Sequence, residues 1–104
     1  MIQKNLVEHP DYRVLELILD PGEEIKPHFH KNRSESWTII SGEAWVKIEE
    51  TSLPRSTGEI VAIARWSPHI LRNRGKGILK VIEVQQFLLS EQNPDEDWHE
   101  VEPE

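Results

Sequence analysis

Short segments of alternating side-chain character, separated by turn residues, constrain the fold of this chain more than any other feature. Ala44, Val46 and Ile48 alternate with bulkier or charged residues, and this period-two pattern is typical of a half-buried strand. Turn signals containing proline or glycine stand at residues 20–22 and 74–77, where such segments would reverse direction. The pattern therefore predicts short strands joined by turns, without a convincing amphipathic helix.

The spacing of these segments indicates a single all-β domain. Predicted strands cover residues 12–19, 26–30, 35–41, 44–49, 59–64, 69–73 and 78–89, with a loop at 51–57 that contains Pro54 and a short turn near 93–99. A chain of 104 residues is large enough for one hydrophobic core but not for two. We therefore expect one β-sandwich or barrel.

Three histidines and one glutamate lie within a frame of small and polar residues. The ligand-type residues are His28, His30, Glu35 and His69, and the frame consists of Gly22, Gly42, Gly58 and Asn73. Imidazole nitrogens and a carboxylate are the ligands of catalytic divalent metal sites, and they suit Mn, Fe, Co, Ni and Zn without selecting among them. The sequence contains no cysteine, which excludes disulfides and thiolate zinc sites.

The parity of these residues predicts that they share one interior. Side chains two residues apart in a strand point to the same face, so His28 and His30 project together. Glu35 shares its face with Trp37, and His69 shares its face with apolar residues of its own segment. A metal in the mouth of a small barrel, with an apolar wall behind it, satisfies both observations.

These residues resemble the two motifs of the cupin superfamily. The first motif matches at every spacing from Gly22 to Gly42, and the second matches at Gly58, His69 and Asn73. The second motif departs where cupins commonly have proline and glycine, because Ala64 and Trp66 stand there. The resemblance implies a small single-domain jelly-roll barrel of antiparallel strands, with a metal ligated by His28, His30, Glu35 and His69.

A narrower resemblance links the chain to the cupin domain of type II mannose-6-phosphate isomerases. It is carried by Arg33, Glu35, Trp37, Ser41 and Gly42, and by the later run Ile82-Glu83-Val84-Gln85. That family commonly has glutamine where this chain has His28, and its acidic segment after the last strand is matched only loosely here. The resemblance implies an aldose–ketose isomerase that acts on a phosphorylated sugar.

Several polar residues near the motif have two interpretations. Arg33 is either a surface arginine or a cation that helps to hold an anionic substrate such as a phosphate. Glu83 and Gln85 share a face of the last strand and point either to solvent or into the barrel. In the second case Glu83 is the candidate base of the isomerisation and Gln85 a candidate substrate contact.

Two tryptophans are further candidates for substrate contact. Trp37 is either a core residue or a platform for the substrate. Trp66 either caps the barrel mouth or belongs to a rebuilt loop. Trp45 has the parity opposite to Ala44 and Val46 and therefore points outward, which suggests a homodimer interface of the kind that is common in cupins.

Three functions from different classes remain open at this point. The first is a sugar-phosphate isomerase, and the second is a metal-dependent oxygenase or decarboxylase. The second is favoured by His28, because three histidines and one glutamate are the commoner ligand set among cupin oxygen enzymes. The third is a non-catalytic module that binds a small molecule, which is consistent with the small size of the chain. All three bind a small ligand at the metal.

Charge and hydrophobicity limit the partners of the chain. The net charge of −7 argues against nucleic-acid binding, which requires a basic surface. No stretch approaches the roughly 20 apolar residues of a membrane span, and no signal-peptide pattern begins the sequence. These features predict a cytoplasmic protein without membrane contact, whose partner is a small and preferably anionic molecule.

The acidic end of the chain is predicted to lie outside the barrel. We expect a barrel at residues 1–90 and an acidic tail at 91–104, where seven Asp or Glu residues occur without Lys or Arg. Such a tail is either solvated and partly disordered, or folded over the body through Trp98.

Overall fold

The computed structural model describes residues 1–88 and 93–101, and nearly all regular structure in it is β-strand. The strands are β1 (Ile2–Glu8), β2 (Tyr12–Leu19), β3 (Glu24–Phe29), β4 (Arg33–Ser41), β5 (Glu43–Ile48), β6 (Thr51–Ser56), β7 (Ile60–Ile63), β8 (His69–Asn73), β9 (Leu79–Phe87) and β10 (His99–Glu100). A short 3₁₀ helix at Pro94–Glu96 is the one helix of the described residues. None of the described residues form a helix long and apolar enough to span a membrane.

Two five-stranded antiparallel sheets form the barrel. One sheet has the order β1-β2-β9-β4-β7 and the other has the order β10-β3-β8-β5-β6. Strands that are distant in sequence, such as β2 and β9, are neighbours, as a jelly roll requires. The predicted all-β jelly-roll class is confirmed.

The inward side chains change from apolar to polar along the strands. On β2, Leu15, Leu17 and Leu19 face the core, whereas Arg13 faces inward at the other end. On β9, two apolar residues at the start are followed by inward-facing Glu83. The register places the two changes one inward-facing pair apart, since the apolar Leu15 pairs with Glu83 and the next inward pair is Arg13 with Gln85. One half of the barrel is therefore a dry core and the other half a polar cavity.

Two strands differ from the sequence-based expectation. Residues 51–57 were expected to form a loop because of Pro54, and this was wrong, since Thr51–Ser56 is β6. Pro54 pairs opposite Trp45 on an edge strand, where a missing N–H is tolerated. Strand β1 was not expected, because all seven of its residues are exposed and its sequence carries no burial pattern.

Residues 93–101 pack against the barrel, as in the second interpretation of the acidic tail. β10 pairs with β3 through His99 opposite Phe29 and Glu100 opposite His28. Asp97 accepts hydrogen bonds from the backbone amides of Lys31 and Asn32, both at 2.9 Å. The boundary predicted at residue 90 lies outside the described residues.

Candidate metal centre

The four predicted ligands meet in one buried cluster. His28 and His30 come from the end of β3, Glu35 from β4 and His69 from the start of β8. Each offers one ligand atom, and these atoms all lie within 4.8 Å of one another. All four side chains are buried, with 5% exposure or less. The sequence spacing thus predicted a set that the fold brings together from three strands.

Backbone carbonyls orient the three imidazole rings. The Nδ1 atoms of His28 and His69 each lie near the carbonyl of the residue two positions earlier, at 2.7 and 2.8 Å. His30 Nδ1 is hydrogen-bonded to the carbonyl of Asp97. Because a carbonyl only accepts, each Nδ1 carries the proton and each Nε2 keeps its lone pair. Metal-binding histidines are commonly oriented in this way.

The cluster contains acceptor atoms that lack donors. Glu35 Oε1 and His69 Nε2 are buried and have no hydrogen-bond partner within the described residues. Glu35 Oε1 lies 3.3 Å from His69 Nε2 and 3.5 Å from His30 Nε2. A buried unpaired acceptor costs about 1–3 kcal/mol, and a cation between these atoms removes that cost. The residues therefore fit a divalent metal, whose identity they do not determine.

The protonation states match those of metal ligands. Burial raises the pKa of the Glu35 carboxyl, but that pKa still lies well below its usual range, and the positive charge of Arg33 beside Glu35 Oε2 is one cause. Burial, with repulsion from His69, lowers the pKa of His28 to about 3. An ionised carboxylate and a neutral imidazole are the forms that bind a metal.

Arg33 is buried beside the cluster and does not lie on the surface. It is 5% exposed, and its Nε donates to Glu35 Oε2 at 3.2 Å. Its Nη1 donates to the Pro94 carbonyl at 2.9 Å, and its Nη2 lies 3.3 Å from His30 Nε2. All three guanidinium nitrogens therefore already have partners, which holds the arginine against the ligands.

Glu83 and Gln85 point into the barrel. Glu83 accepts hydrogen bonds from Trp37 Nε1 and Gln85 Nε2, both at 2.6 Å. Burial, together with the negative charge of Glu35, raises the pKa of the Glu83 carboxyl to about 7. Such a carboxyl can both accept and return a proton near neutral pH. Trp37 is fully buried in the core and is connected to the cavity through Glu83.

Trp66 lies outside the barrel and does not line the cavity. Its side chain is 58% exposed and stacks on Phe29, with ring centroids 6.0 Å apart. Phe29 has the parity opposite to His28 and His30, so its ring lies on the outer face of β3. Trp66 has a positive φ of 69°, and its amide donates to the His30 carbonyl at 2.7 Å. Of the predicted substrate-binding residues, Arg33 and Gln85 line the cavity, whereas Trp37 and Trp66 do not.

A cavity of about 350 Å³ opens beside the ligands, and Arg13, which the sequence did not indicate as a site residue, lines it. Arg13 is 8% exposed, and its Nε donates to Gln85 Oε1 at 2.8 Å. Its parity with Leu15 was the signal that could have found it. Asp97 belongs to a segment predicted only as a tail, and nothing in its sequence surroundings indicated that its carbonyl orients His30.

The C-terminal segment forms part of the cavity wall. Trp98, which was considered as a contact between tail and body, stacks on His28 with ring centroids 4.8 Å apart and 13° between the planes. Trp98 and Asp95 both line the cavity. Residues 93–101 therefore contribute to the site as well as to the outer surface.

Comparison with known families supports this assignment of the fold. A family model described as "Cupin domain" matches residues 15–85. Alginate biosynthesis protein AlgA of Pseudomonas putida is 34% identical over 74 residues, which are 71% of this chain and 15% of that protein. Mannose-1-phosphate guanylyltransferase RfbM of Salmonella typhimurium is 35% identical over 75 residues, which are 72% of this chain and 16% of that protein. The chain thus spans about one sixth of the length of such relatives.

Solved structures share the architecture. Protein TT1209 from Thermus thermophilus matches with a TM-score of 0.80 at 20% identity, covering 84% of this chain and 83% of that one. An uncharacterised protein with a double-stranded beta-helix domain from Klebsiella pneumoniae matches with a TM-score of 0.77 at 27% identity, covering 88% and 84% of the two chains. The similarity extends over most of both chains in each case.

Proposed function

Because this chain belongs to the cupin family, we propose that it binds a divalent transition metal and isomerises a small phosphorylated sugar between its aldose and ketose forms. The observation that carries this proposal is Glu83, a buried carboxyl beside the metal cluster whose pKa is raised to about 7. An isomerase requires one group that removes a proton from carbon 2 and returns it to carbon 1. Glu83 has the position and the proton affinity for that task.

The residues of the chain divide the work of such a reaction. A metal held by His28, His30, Glu35 and His69 would polarise the carbonyl and hydroxyl oxygens of the sugar. One oxygen of the Glu83 carboxylate would take the proton, while the hydrogen bonds from Trp37 and Gln85 fix its orientation. The charge of Arg33 favours an anionic ligand and is one cause of the lowered pKa of Glu35.

The relatives support a sugar-phosphate ligand. Several of them are named as mannose-1-phosphate guanylyltransferases, and others as alginate biosynthesis proteins. We propose mannose 6-phosphate as the first substrate to test, with Mn, Fe, Co, Ni or Zn as the metal. We also propose a cytoplasmic homodimer without nucleic-acid or membrane partners.

The proposed homodimer interface is the exposed face of β1 and not the surface around Trp45. Trp45 points outward as expected, but Arg72 and Arg74 lie over its ring at 4.9 and 4.1 Å. The exposed apolar side chains of the edge strand β1 are the better candidate interface, with Ile2 54% and Leu6 51% exposed.

A second candidate function rests on His28. An all-protein set of three imidazoles and one carboxylate also suits a metal-dependent oxygenase or decarboxylase. Oxygen uptake with Mn or Fe would favour this function, whereas a ligand bound without turnover would leave a binding module.

The test is interconversion of mannose 6-phosphate and fructose 6-phosphate by protein loaded with each of the five metals in turn. We expect turnover that a chelator abolishes. Glu83→Gln keeps the size of the side chain but removes the base, so the rate should fall about 10²- to 10⁴-fold. Glu50→Gln, which changes a carboxylate with 97% exposure, is the matched control and should keep full activity.

The metal content of Glu83→Gln must equal that of the wild type for this comparison to hold. No interconversion under any metal, or equal rates in Glu83→Gln and wild type, would remove the isomerase assignment. Oxygen consumption by the same samples would then decide between the two remaining classes.

A further inference from the structure

Two buried arginines line the cavity, and they differ in how their donors are used. Arg33 has partners on all three guanidinium nitrogens, and two of these partners are metal ligands. Arg13 donates through Nε to Gln85 and through Nη2 to Asp95, at 2.8 and 3.3 Å. Within residues 1–88 and 93–101, Nη1 of Arg13 has no hydrogen-bond partner. Arg13 therefore has a donor available to a ligand, and none of its contacts is to the metal cluster.

The two partners of the ion pair between Arg13 and Asp95 differ in their exposure to solvent. The Arg13 side chain is 10% exposed, whereas the Asp95 side chain is 79% exposed. Gln85 holds the arginine from inside the barrel, but the aspartate reaches it from the solvent side. Solvent screens the exposed carboxylate and competes for it, which weakens its attraction to the arginine. An anion from solution can thus replace Asp95 at little cost.

The position of Asp95 connects this pair to the metal cluster. Asp95 follows Pro94, whose carbonyl accepts from Arg33, and both Asp95 and Arg13 line the cavity that contains the metal ligands. A group at the Asp95 carboxylate would lie in the same cavity as a group bound at the metal. The cavity of about 350 Å³ is within the range of small-molecule sites.

We propose that Arg13 binds the oxyanion group of the cavity's small-molecule ligand, a phosphate monoester or a carboxylate, and that Asp95 occupies this position until the ligand displaces it. The inference rests on the anionic ligand of the proposed function and assigns its charged group to Arg13 instead of Arg33. Arginine suits this role because its planar fork donates two parallel hydrogen bonds to such a group.

The test measures binding to the metal-loaded protein by isothermal titration calorimetry. The probes are inorganic phosphate, mannose 6-phosphate, mannuronate and uncharged mannose. Arg13→Met should weaken the binding of the anionic probes about 10- to 100-fold and leave mannose unchanged, because charge-assisted hydrogen bonds are lost. Asp95→Asn should strengthen the binding of the anionic probes about two- to fivefold, because the competing carboxylate is removed.

Matched controls separate this site from general charge effects. Arg55→Met removes an exposed guanidinium group. Its Nη1 donates a hydrogen bond to the carbonyl of the neighbouring Pro54. Glu96→Gln removes a carboxylate from the 3₁₀ helix that also contains Asp95. The Glu96 carboxylate accepts a hydrogen bond from Asn93 and does not contact Arg13. Both controls should bind all four probes like the wild type. A preference for mannose 6-phosphate or for mannuronate in the wild type would identify the oxyanion.

The inference is overturned if Arg13→Met and Asp95→Asn bind the anionic probes like their controls, or if the wild type binds none of them. If Arg13→Met does not fold, Asp95→Asn decides alone, and unchanged affinity overturns the inference. The isomerase assay is independent of this result. Turnover without an effect of Arg13 would remove only this inference, whereas anion binding through Arg13 without turnover would remove only the isomerase.

Discussion

Glu83 is the residue at which the core and the cavity meet. It pairs across the sheet with Leu15 on one side and with Trp37 on the other, so apolar side chains surround it on both neighbouring strands. Its carboxyl receives two N–H donors, yet burial and the nearby charge of Glu35 still favour its protonated form. Ionising a carboxyl in this position costs free energy, so the stability of the folded protein depends on pH.

Stability of the metal-free protein should depend on pH through Glu83. Its folded pKa of about 7 lies above the ordinary value of 4.5, so the folded state keeps a proton that the unfolded state releases between those values. The contribution of Glu83 to the free energy of unfolding is complete below about pH 4.5. It is lost as pH rises through 7, and the loss is on the order of 3 kcal/mol. Glu83→Gln should remove this decline, as measured by urea unfolding from pH 5 to 8.

The difference between the two proteins isolates this effect. His28 acts in the opposite direction, because its pKa is lowered to about 3 and stability from that group rises with pH up to about 6.5. Both proteins contain His28, so its contribution cancels. Parallel stability curves for wild type and Glu83→Gln would contradict the raised pKa. Glu50→Gln should follow the wild type.

At the scale of single residues, the sequence predicted the cluster because its members follow a fixed local spacing. His28, His30 and Glu35 lie within eight positions, and strand parity places them on one side. The partners of Arg13 and Asp97 could not be found in this way, since they lie 72 and 67 positions away along the chain. Only the strand register brings such pairs together.

At the scale of elements, one turn shows how closely the strands approach. Gly42 joins β4 to β5 with φ of +95°, and a Cβ added there would lie 2.6 Å from the Ile78 carbonyl oxygen. Gly58 also has a positive φ, +89°, but a Cβ there would meet nothing within 4 Å. The two glycines share the backbone requirement, and only the first is also limited by space.

Alanine substitutions at these two glycines should therefore have unequal effects. Gly58→Ala should cost about 1–2 kcal/mol from backbone strain alone. Gly42→Ala should cost about 3 kcal/mol or more, because strain is combined with displacement of the backbone at the start of β9. Urea unfolding of both variants measures the difference. Equal losses would show that the close approach of Ile78 to the turn does not limit residue 42.

Strand prediction succeeded where one face is buried and failed where it is not. β5 alternates in burial from Glu43 to Lys47, and the same alternation is visible in its sequence. β1 and β6 are edge strands with little or no burial, so hydrophobic periodicity had no basis there. A proline then made β6 look like a loop, although an edge strand accepts it.

At the scale of the whole molecule, the described C-terminal residues complete the site that the barrel begins. Asp97 orients His30 and is anchored on the backbone of Lys31 and Asn32. Trp98 covers His28. The chain has a net charge of −7, yet two buried arginines line the cavity. The acidic C-terminal segment lies beside them. Composition predicted the acidity of this segment, but its place in the fold follows only from these long-range contacts.

The whole site depends on one metal ion that the four clustered residues are proposed to hold. The most direct measurement is elemental analysis after removal of metal and reloading with Mn, Fe, Co, Ni or Zn. We expect about one ion per chain in the wild type, as a site with four protein ligands requires. His69→Ala and the isosteric Glu35→Gln should lose it, with affinity reduced by more than about 100-fold. His9→Ala, which changes an exposed histidine outside the cluster, should retain the ion.

Circular dichroism spectra that match the wild type would show that the variants remain folded in this measurement. We expect a bound ion in wild type and His9→Ala, and none in the two ligand variants. A wild-type protein that takes up none of the five metals, or a His69→Ala variant with unchanged metal content, would contradict this expectation.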